Sequence, residues 1–116
     1  MKIGSYAFGR MEINGETVTD DLMVVGDEIK RGWRRKEGHK LYSADLKWIV
    51  ERDPSFLIIG KGKSGLMSVP EDTRSYLEEK NIRFRALGTE EAVRIFNEKN
   101  AEESAGKVAG AFHLTC

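Results

Sequence analysis

Alternation of apolar and polar residues predicts β-strands in the first third of the chain. Tyr6 and Phe8 begin a period of two, which is typical of a half-buried strand. The dipeptide Asn14-Gly15 then indicates a tight hairpin, because both central positions of a type I′ turn need positive φ. Residues 16–19 would form the return strand, and the apolar run 22–26 would form a further strand. We therefore expect an N-terminal β-hairpin region.

A helical period begins at Ser43 and gives way to a buried strand. Ser43 can cap a helix in which Leu46 and Ile49 share one apolar face. This helix should end before Pro54, because a proline disfavours the helical conformation of the residue before it. Residues 56–60 are then apolar without interruption. A strand of that kind is typically buried on both faces, as in the centre of a sheet covered by helices.

The second half of the chain continues to alternate helices with strands. Ser68 and Glu71 have the spacing of a capping box, and residues 82–86 alternate as a strand. Thr89 is predicted to cap a third helix, and the alternation over residues 108–114 predicts a closing strand. This β–α–β–α–β order requires crossover connections and favours a mainly parallel sheet.

Together these elements predict one α/β domain over residues 1–116, with three layers and a mixed sheet. The N-terminal β-hairpin region would either extend the sheet of the βαβαβ half or form a second sheet. Residues 101–106 are expected to be a mobile loop. A chain of 116 residues leaves no room for two independent cores.

The charge balance and the cysteine content limit which classes of partner and which cellular compartment we expect for this protein. The 19 basic residues offset the 19 acidic ones, so the chain lacks the global positive field that draws proteins to nucleic acid or anionic membranes. No apolar stretch approaches the roughly 20 residues that cross a bilayer, and the N-terminus has no leader-like apolar run. A single cysteine excludes an internal disulfide. We expect a cytoplasmic protein that contacts neither nucleic acid nor membrane.

A glycine-rich loop after the buried strand is the main candidate for a ligand site. Close-set glycines between a strand and a helix can direct backbone N–H groups at an anion. Neither nucleotide fingerprint is complete, because Leu57 replaces the first P-loop glycine and the helix begins too late for a dinucleotide motif. The alternative is a loop that needs positive φ and a close backbone approach. The candidate ligand residues are Gly60, Lys61, Gly62, Lys63, Ser64 and Gly65, with Thr89 or Asn97 nearby.

The histidines and the cysteine indicate neither a catalytic dyad nor a metal site. A histidine paired with Cys116 would be a thiol–imidazole dyad, but a thiol at a chain end is a poor nucleophile. A metal needs at least three convergent ligands, and the spacing of His39, His113 and Cys116 resembles no zinc motif. We therefore expect structural histidines, a free thiol, no metal and no cofactor.

A basic run around Trp33 is the candidate for a partner surface. The run from Lys30 to Lys36 would either lie at a solvated turn or strand edge, or bind an acidic partner. Trp33 lies between a glycine and arginines and would either pack inside or form a contact surface. The candidate surface comprises Trp33, Arg34 and Arg35.

Several short segments, in this order and spacing, resemble a small family of α/β domains named for an archaeal hypothetical protein. The family includes the mammalian adipogenesis-associated domain protein and a mitochondrial assembly factor for respiratory complex I. The matching segments are Trp33-Arg34, Gly38-His39, Phe56–Gly62, Thr89–Asn97 and Val108–Cys116. The resemblance implies a three-layer α/β fold with a mixed sheet, no established enzymatic activity, and action through protein partners.

We therefore expect a non-enzymatic binding or assembly module that acts through protein partners, as a monomer or a small homo-oligomer. The alternative is a protein, which could be an enzyme, that binds an anion or small molecule at the Gly60–Gly65 loop.

Overall fold

Two β-sheets and three α-helices make up the part of the chain that the computed structural model describes, residues 2–103 and 106–116. The strands are β1 (Ile3–Ala7), β2 (Arg10–Ile13), β3 (Glu16–Val18), β4 (Leu22–Val25), β5 (Glu28–Arg31), β6 (Phe56–Lys61), β7 (Arg83–Leu87) and β8 (Val108–His113). A 3-10 turn (Ser43–Leu46) leads into α1 (Lys47–Val50), and α2 (Glu71–Glu79) and α3 (Thr89–Glu102) follow.

The larger sheet has five strands in the order β5-β4-β8-β6-β7. Strand β6 pairs in parallel with β7 and β8, whereas β4 pairs antiparallel with β5 and β8, so the sheet is mixed as predicted. Strand β6 has an inner position and both of its faces are covered. Leu57 and Ile59 contribute to the core on one side, and Ile58 contributes to the core on the other. This two-sided burial explains why the sequence of β6 is apolar without alternation.

The domain has three layers, which confirms the predicted architecture. Helix α3 and a separate antiparallel sheet, β1-β2-β3, cover one face of the five-stranded sheet. The 3-10 turn, α1 and α2 cover the other face. The N-terminal hairpin therefore forms a second sheet and does not extend the first. Its predicted turn is confirmed, with φ of 53° at Asn14 and 76° at Gly15.

Glycine 110 allows the core above β8 to close. A Cβ atom at Gly110 would lie 2.4 Å from the Phe112 ring and 3.1 Å from the Phe96 ring. These two rings pack edge to face, with centroids 5.6 Å apart. A glycine is therefore required where α3 approaches the strand that leads to His113.

The three predicted helix caps are wrong in position, although each helix exists. The residues that precede the helices are Tyr42, Pro70 and Gly88. At the first helix, the Asp45 carboxylate accepts the Tyr42 N–H at 2.8 Å, and Ser43 is already the first residue of the 3-10 turn.

Tertiary contacts account for the displaced caps. Ser68 lies in an extended bridge with Lys40 and its hydroxyl donates to the His39 carbonyl. The Thr89 hydroxyl is occupied by partners outside its own helix. At the other end of α3, the helix continues through Glu102, so the loop predicted from residue 101 begins later, and its residues 104 and 105 lie outside the described part of the chain.

Candidate functional site

The carboxyl ends of β6 and β8 lie side by side and bring the candidate residues together. Lys61 at the end of β6 pairs with His113 at the end of β8. The glycine-rich loop follows β6, and residues 114–116 follow β8. Ligands of open α/β sheets bind beyond the carboxyl ends of the strands. We call the surface formed by residues 8–9, 61–66 and 114–116 the carboxyl-end face.

The glycine-rich loop directs its backbone donors at its own chain. The Gly62 N–H donates to the Thr89 hydroxyl at 2.8 Å, and the Lys63 N–H donates to the Thr115 carbonyl at 2.6 Å. The Gly65 N–H donates to the Gly62 carbonyl at 3.1 Å. An anion cradle needs such N–H groups to be free. These three groups are therefore not available to an anion.

Close backbone approach explains the glycine at position 62. Gly62 has a φ of 98°, and a Cβ atom there would lie 2.5 Å from the carbonyl carbon of Cys116. Gly65 also has positive φ, 67°, but a Cβ atom there would meet no described residue within 4 Å. The alternative interpretation of this loop, positive φ with close backbone contact, is thus confirmed at Gly62.

Thr89 is next to the loop, as predicted, but its hydroxyl serves the fold. The buried hydroxyl donates to the His113 carbonyl at 2.6 Å and accepts the Gly62 N–H at 2.8 Å. It therefore joins the end of β8 to the glycine loop. This arrangement also removes the hydroxyl from the helix cap, since its donor and one of its acceptor sites are already used.

Asn97 lies elsewhere and holds the small sheet against α3. Its side-chain oxygen accepts the Ile3 N–H at 2.9 Å, and its side-chain nitrogen donates to the Ile3 carbonyl at 2.8 Å. The structure therefore does not bring Asn97 to the glycine loop. An amide that meets both polar groups of one backbone residue is typical of a structural clamp.

The basic side chains of the loop are mostly exposed. The Lys63 ammonium lies 3.5 Å from a Glu90 carboxylate oxygen and 5.8 Å from the centroid of the Tyr6 ring. Lys61 is half-buried, and Ser64 is exposed. Lys63 thus already has an anionic neighbour, which reduces the positive charge that the loop offers to a ligand.

Trp33 and Arg35 are buried, so the predicted partner surface is wrong for two of its three residues. Trp33 is 5% exposed and its indole N–H donates to the Asp45 carbonyl at 3.0 Å. The Arg35 side chain is 4% exposed and its guanidinium lies 4.7 Å from the centroid of the Trp33 ring. Arg34 remains exposed. The indole packs into the core beneath α1, and the charge of Arg35 is met by a carboxylate.

That carboxylate is Asp21, which organises a buried polar cluster beside the end of β8. One oxygen, Oδ2, lies 2.7 Å from Nδ1 of His113 and 2.8 Å from Nη2 of Arg35. The other oxygen accepts the Leu114 N–H at 2.8 Å. Arg35 Nη2 also donates to the Gly38 carbonyl at 3.2 Å. We call Asp21, Arg35 and His113 the Asp21 cluster.

The pKa of Asp21 is lower than its ordinary value. Burial raises this pKa, but hydrogen bonds from His113, from the Leu114 N–H and from Arg35 lower it by more. The carboxylate is therefore ionised at neutral pH. Nδ1 of His113 also lies 3.0 Å from Nη2 of Arg35, which can only donate a hydrogen bond. The contact with the Asp21 oxygen is the shorter one, at 2.7 Å, and since an ionised carboxylate only accepts, we assign the proton in it to Nδ1.

Three polar atoms of the Asp21 cluster have no hydrogen-bond partner within the part of the chain that the structure describes. They are Nε2 of His113 and both Nε and Nη1 of Arg35, which are buried and form no hydrogen bond with residues 2–103 or 106–116. Buried polar groups are usually satisfied, and an unsatisfied one calls for a reason such as a bound ion or a reactive role. The cluster therefore differs from the glycine loop, whose donors are committed within the chain.

His39 and Cys116 complete the site. The Cys116 sulfur lies 3.4 Å from Nε2 of His39, and the rings of His39 and His113 lie edge to face with centroids 6.0 Å apart. One ligand atom from each of His39, His113 and Cys116 lies within 4.8 Å of the others. We call these three residues the His/Cys cluster. The expectation that they do not converge, based on their spacing in the sequence, is wrong.

Sequence reasoning missed this site because its parts are far apart along the chain. Arg35 was assigned to a partner surface or a solvated edge, and no sequence pattern singled out Asp21, yet the two form a largely buried ion pair. One available signal was that His113 ends, and Cys116 closely follows, a strand that is parallel to the one before the glycine loop. The position of His39 depends on a long irregular segment and had no such signal.

Cavities occur at both ends of the sheet. A cavity of about 300 Å³ lies beside the site, where Asp21, Trp33 and Thr115 contribute to its lining. A larger, shallow cavity of about 680 Å³ lies at the opposite end, where Phe56 and Arg83 begin β6 and β7. The larger one is far from the convergent titratable groups, and so we place the candidate site at the carboxyl ends of the strands.

Residues 3–113 match the family described as a protein of unknown function (DUF498/DUF598). The chain belongs to this family. The match extends over nearly all of the chain and includes the Asp21 cluster, while Cys116 lies just beyond it. The family description assigns no activity to its members.

Solved structures with the same fold confirm the architecture. The conserved hypothetical protein PH1505 from Pyrococcus horikoshii OT3 matches with 21% identity and a TM-score of 0.80, covering 100% of both chains. A protein from Bartonella henselae described as an outer membrane protein matches with 25% identity and a TM-score of 0.83, covering 98% of this chain and 94% of that one. A Bordetella pertussis protein described as a Mth938-like domain matches with 17% identity and a TM-score of 0.74, covering 97% and 85%.

Among the described residues, no helix combines the length and the apolar character that crossing a membrane requires.

Proposed function

We propose that this domain is a non-enzymatic binding module that docks a protein partner on the carboxyl-end face. One observation carries the proposal. Phe8 and Leu66 are 61% and 56% exposed, and they are the large hydrophobic side chains that the described residues leave in solvent. Exposed apolar side chains grouped on one surface favour protein contact.

The two turns that carry these side chains are hydrogen-bonded to the same backbone segment. Gly9, next to Phe8, donates its N–H to the Leu114 carbonyl at 2.8 Å. On the other side, the Lys63 N–H in the loop of Leu66 donates to the Thr115 carbonyl. The Phe8 turn and the glycine loop therefore flank residues 114–116. A partner that covers this segment would bury both apolar side chains.

The alternative, an anion site at the glycine loop, receives less support. Its backbone donors at Gly62, Lys63 and Gly65 already have acceptors within the chain. Lys61 and Lys63 would have to hold the anion through their side chains, and Lys63 faces Glu90. Exposed lysines without backbone donors give little orientation to an anion.

The resemblance noted in the sequence suggests that the partner interaction serves assembly, as for the complex I assembly factor in that family. We propose that the domain acts in this way in the cytoplasm, as a monomer or a small homo-oligomer. The free thiol of Cys116 agrees with a reducing compartment.

Site-directed photo-crosslinking in the native host tests the proposal. A benzophenone amino acid would replace Phe8, Leu66 or, as a matched control, Glu79, which is exposed at the end of α2 on the opposite end of the sheet. We expect an adduct of one common mass from positions 8 and 66, and none from position 79. The adduct from position 8 should weaken when Leu66→Asp is added, because both side chains would contact one partner.

Absence of an adduct at both positions, or the same adducts at position 79, would contradict partner docking on this face. An adduct of twice the 13.1 kDa chain mass would identify a second copy and exclude a different protein as the main partner. Unfolding of each variant, monitored by circular dichroism, controls for loss of the fold.

A further inference from the structure

The His/Cys cluster contains every histidine and cysteine of the chain. The sequence has 2 histidines and 1 cysteine, and all of these residues converge at the end of β8. Imidazole nitrogen and thiolate sulfur are the ligands that zinc prefers. We propose that His39, His113 and Cys116 bind a divalent ion of the zinc class, with a fourth coordination position open to solvent or to a ligand.

The distances fit such an ion with small movements. Ligand atoms of a tetrahedral zinc site lie about 3.3–3.7 Å apart, given Zn–N near 2.0 Å and Zn–S near 2.3 Å. The Cys116 sulfur and Nε2 of His39 are already 3.4 Å apart. The third ligand atom is within 4.8 Å of both. His39 is exposed, so its ring can rotate by the remaining ångström without disturbing the core.

The Asp21 cluster orients His113 as a ligand. Nδ1 of His113 lies 2.7 Å from the Asp21 carboxylate and 3.0 Å from Nη2 of Arg35. In the tautomer whose Nδ1 proton is donated to Asp21, the shorter of the two contacts, the neutral ring carries a free lone pair on Nε2. That nitrogen is buried and has no hydrogen-bond partner among the described residues. A carboxylate that holds the far nitrogen of a ligand histidine is the usual second contact of zinc sites. The unpartnered Nε2 is therefore explained if it faces an ion.

Local charge permits a cation at this place. The nearby guanidinium of Arg35 is neutralised by Asp21, since their nitrogen and oxygen atoms are 2.8 Å apart. A bound ion would then be balanced mainly by the Cys116 thiolate, leaving one positive charge on the centre. A centre of that charge with three protein ligands attracts an anionic or polarisable fourth ligand.

Titration of the reduced, metal-free chain with Co²⁺ tests the proposal. We expect one ion per chain, with a thiolate-to-cobalt charge-transfer band and the intense visible bands of tetrahedral cobalt, both abolished by added Zn²⁺. Cys116→Ser should remove the charge-transfer band. His39→Ala should weaken Co²⁺ binding by more than about 100-fold, above the effect of losing an outer contact alone. Both side chains reach solvent, so neither variant should unfold the protein.

Thr115→Ala is the matched control, because it changes an exposed side chain between two ligands and keeps the backbone carbonyl that Lys63 needs. It should bind Co²⁺ like the parent chain. The proposal is overturned if the parent shows no stoichiometric binding, or if Cys116→Ser and His39→Ala bind as tightly as the control. The titration uses the metal alone, so its failure would leave partner docking intact, and the failure of docking would leave the metal site intact.

Discussion

The glycine loop and the His/Cys cluster lie against each other, yet they differ in what their polar groups do. The N–H groups of Gly62 and Lys63 have acceptors inside the chain at 2.8 and 2.6 Å. By contrast, Nε2 of His113 is buried and has no hydrogen-bond partner among the described residues, and the same holds for two nitrogens of Arg35 in the adjoining Asp21 cluster. A glycine-rich loop is a common candidate for a ligand-binding loop. A binding site, however, must offer the ligand hydrogen-bonding or metal-coordinating atoms that the protein does not already use. In this molecule such atoms belong to the His/Cys cluster, and the loop supports it.

Among the changes that test this contrast, removal of the Asp21 carboxylate should cause the largest loss in the free energy of unfolding. Asp21→Ala leaves the charge of Arg35 buried without its counter-ion and leaves the Leu114 N–H without its acceptor. We expect a loss of about 3–5 kcal/mol in the free energy of unfolding, measured by urea denaturation. Lys63→Ala, which breaks the exposed pair with Glu90, should change it by less than about 0.5 kcal/mol. An equal loss of unfolding free energy in the two variants would show that the Asp21 cluster stabilises the fold no more than an exposed ion pair does.

A smaller effect is expected at the loop, where two glycines can be compared. Gly62→Ala adds a Cβ atom 2.5 Å from the Cys116 carbonyl carbon at a φ of 98°, and should destabilise the fold by about 2–3 kcal/mol. Gly65→Ala adds a Cβ atom that meets no atom of the described residues within 4 Å, so the backbone strain at a φ of 67° remains, about 1 kcal/mol. The same urea experiment measures both. If Gly65→Ala were the more harmful change, the loop would not be held by its contact with residues 114–116.

Lowering the pH should produce the smallest of the three changes in the free energy of unfolding. The folded pKa of Asp21 is lowered, so this group stabilises the fold above its unfolded pKa of about 3.9 and loses the contribution as the pH falls through the folded value. The difference in free energy of unfolding between the parent chain and Asp21→Asn should therefore be constant near neutrality and shrink below about pH 4. A difference that persists unchanged in strong acid would mean that the carboxylate is not the ionised acceptor of the cluster.

The architecture was predictable because its signals are local. The uninterrupted apolar run of β6 reflects burial on two faces, and the Asn14-Gly15 turn has the positive φ angles that its residues favour. The helix caps were not predictable in the same way. Hydroxyls such as those of Ser68 and Thr89 can form hydrogen bonds with other elements of the fold, and sequence patterns do not reveal these distant partners.

The site was predictable only in part, for a similar reason. Thr89 was correctly placed beside the glycine loop, because a parallel sheet brings the start of the next helix to that edge. Arg35 was placed at the surface, since a buried arginine requires a distant carboxylate that sequence patterns do not reveal. The position of His39 depends on long-range contacts of the irregular segment around it: Trp33 before it is buried in the core, and the Ser68 N–H donates to the His39 carbonyl at 2.8 Å.

The side-chain amide of Asn97 affects whether another copy of the protein can pair with the outer strand of the small sheet. A side-chain amide carries the same donor and acceptor as a peptide group, and here it satisfies both polar groups of Ile3 on the outer strand of the small sheet. Outer strands otherwise present a row of open groups on which another chain can add as a strand and aggregate. Asn97 thus occupies the backbone groups of Ile3 in the way that a neighbouring strand would. It therefore prevents another chain from adding as a strand at this end of β1.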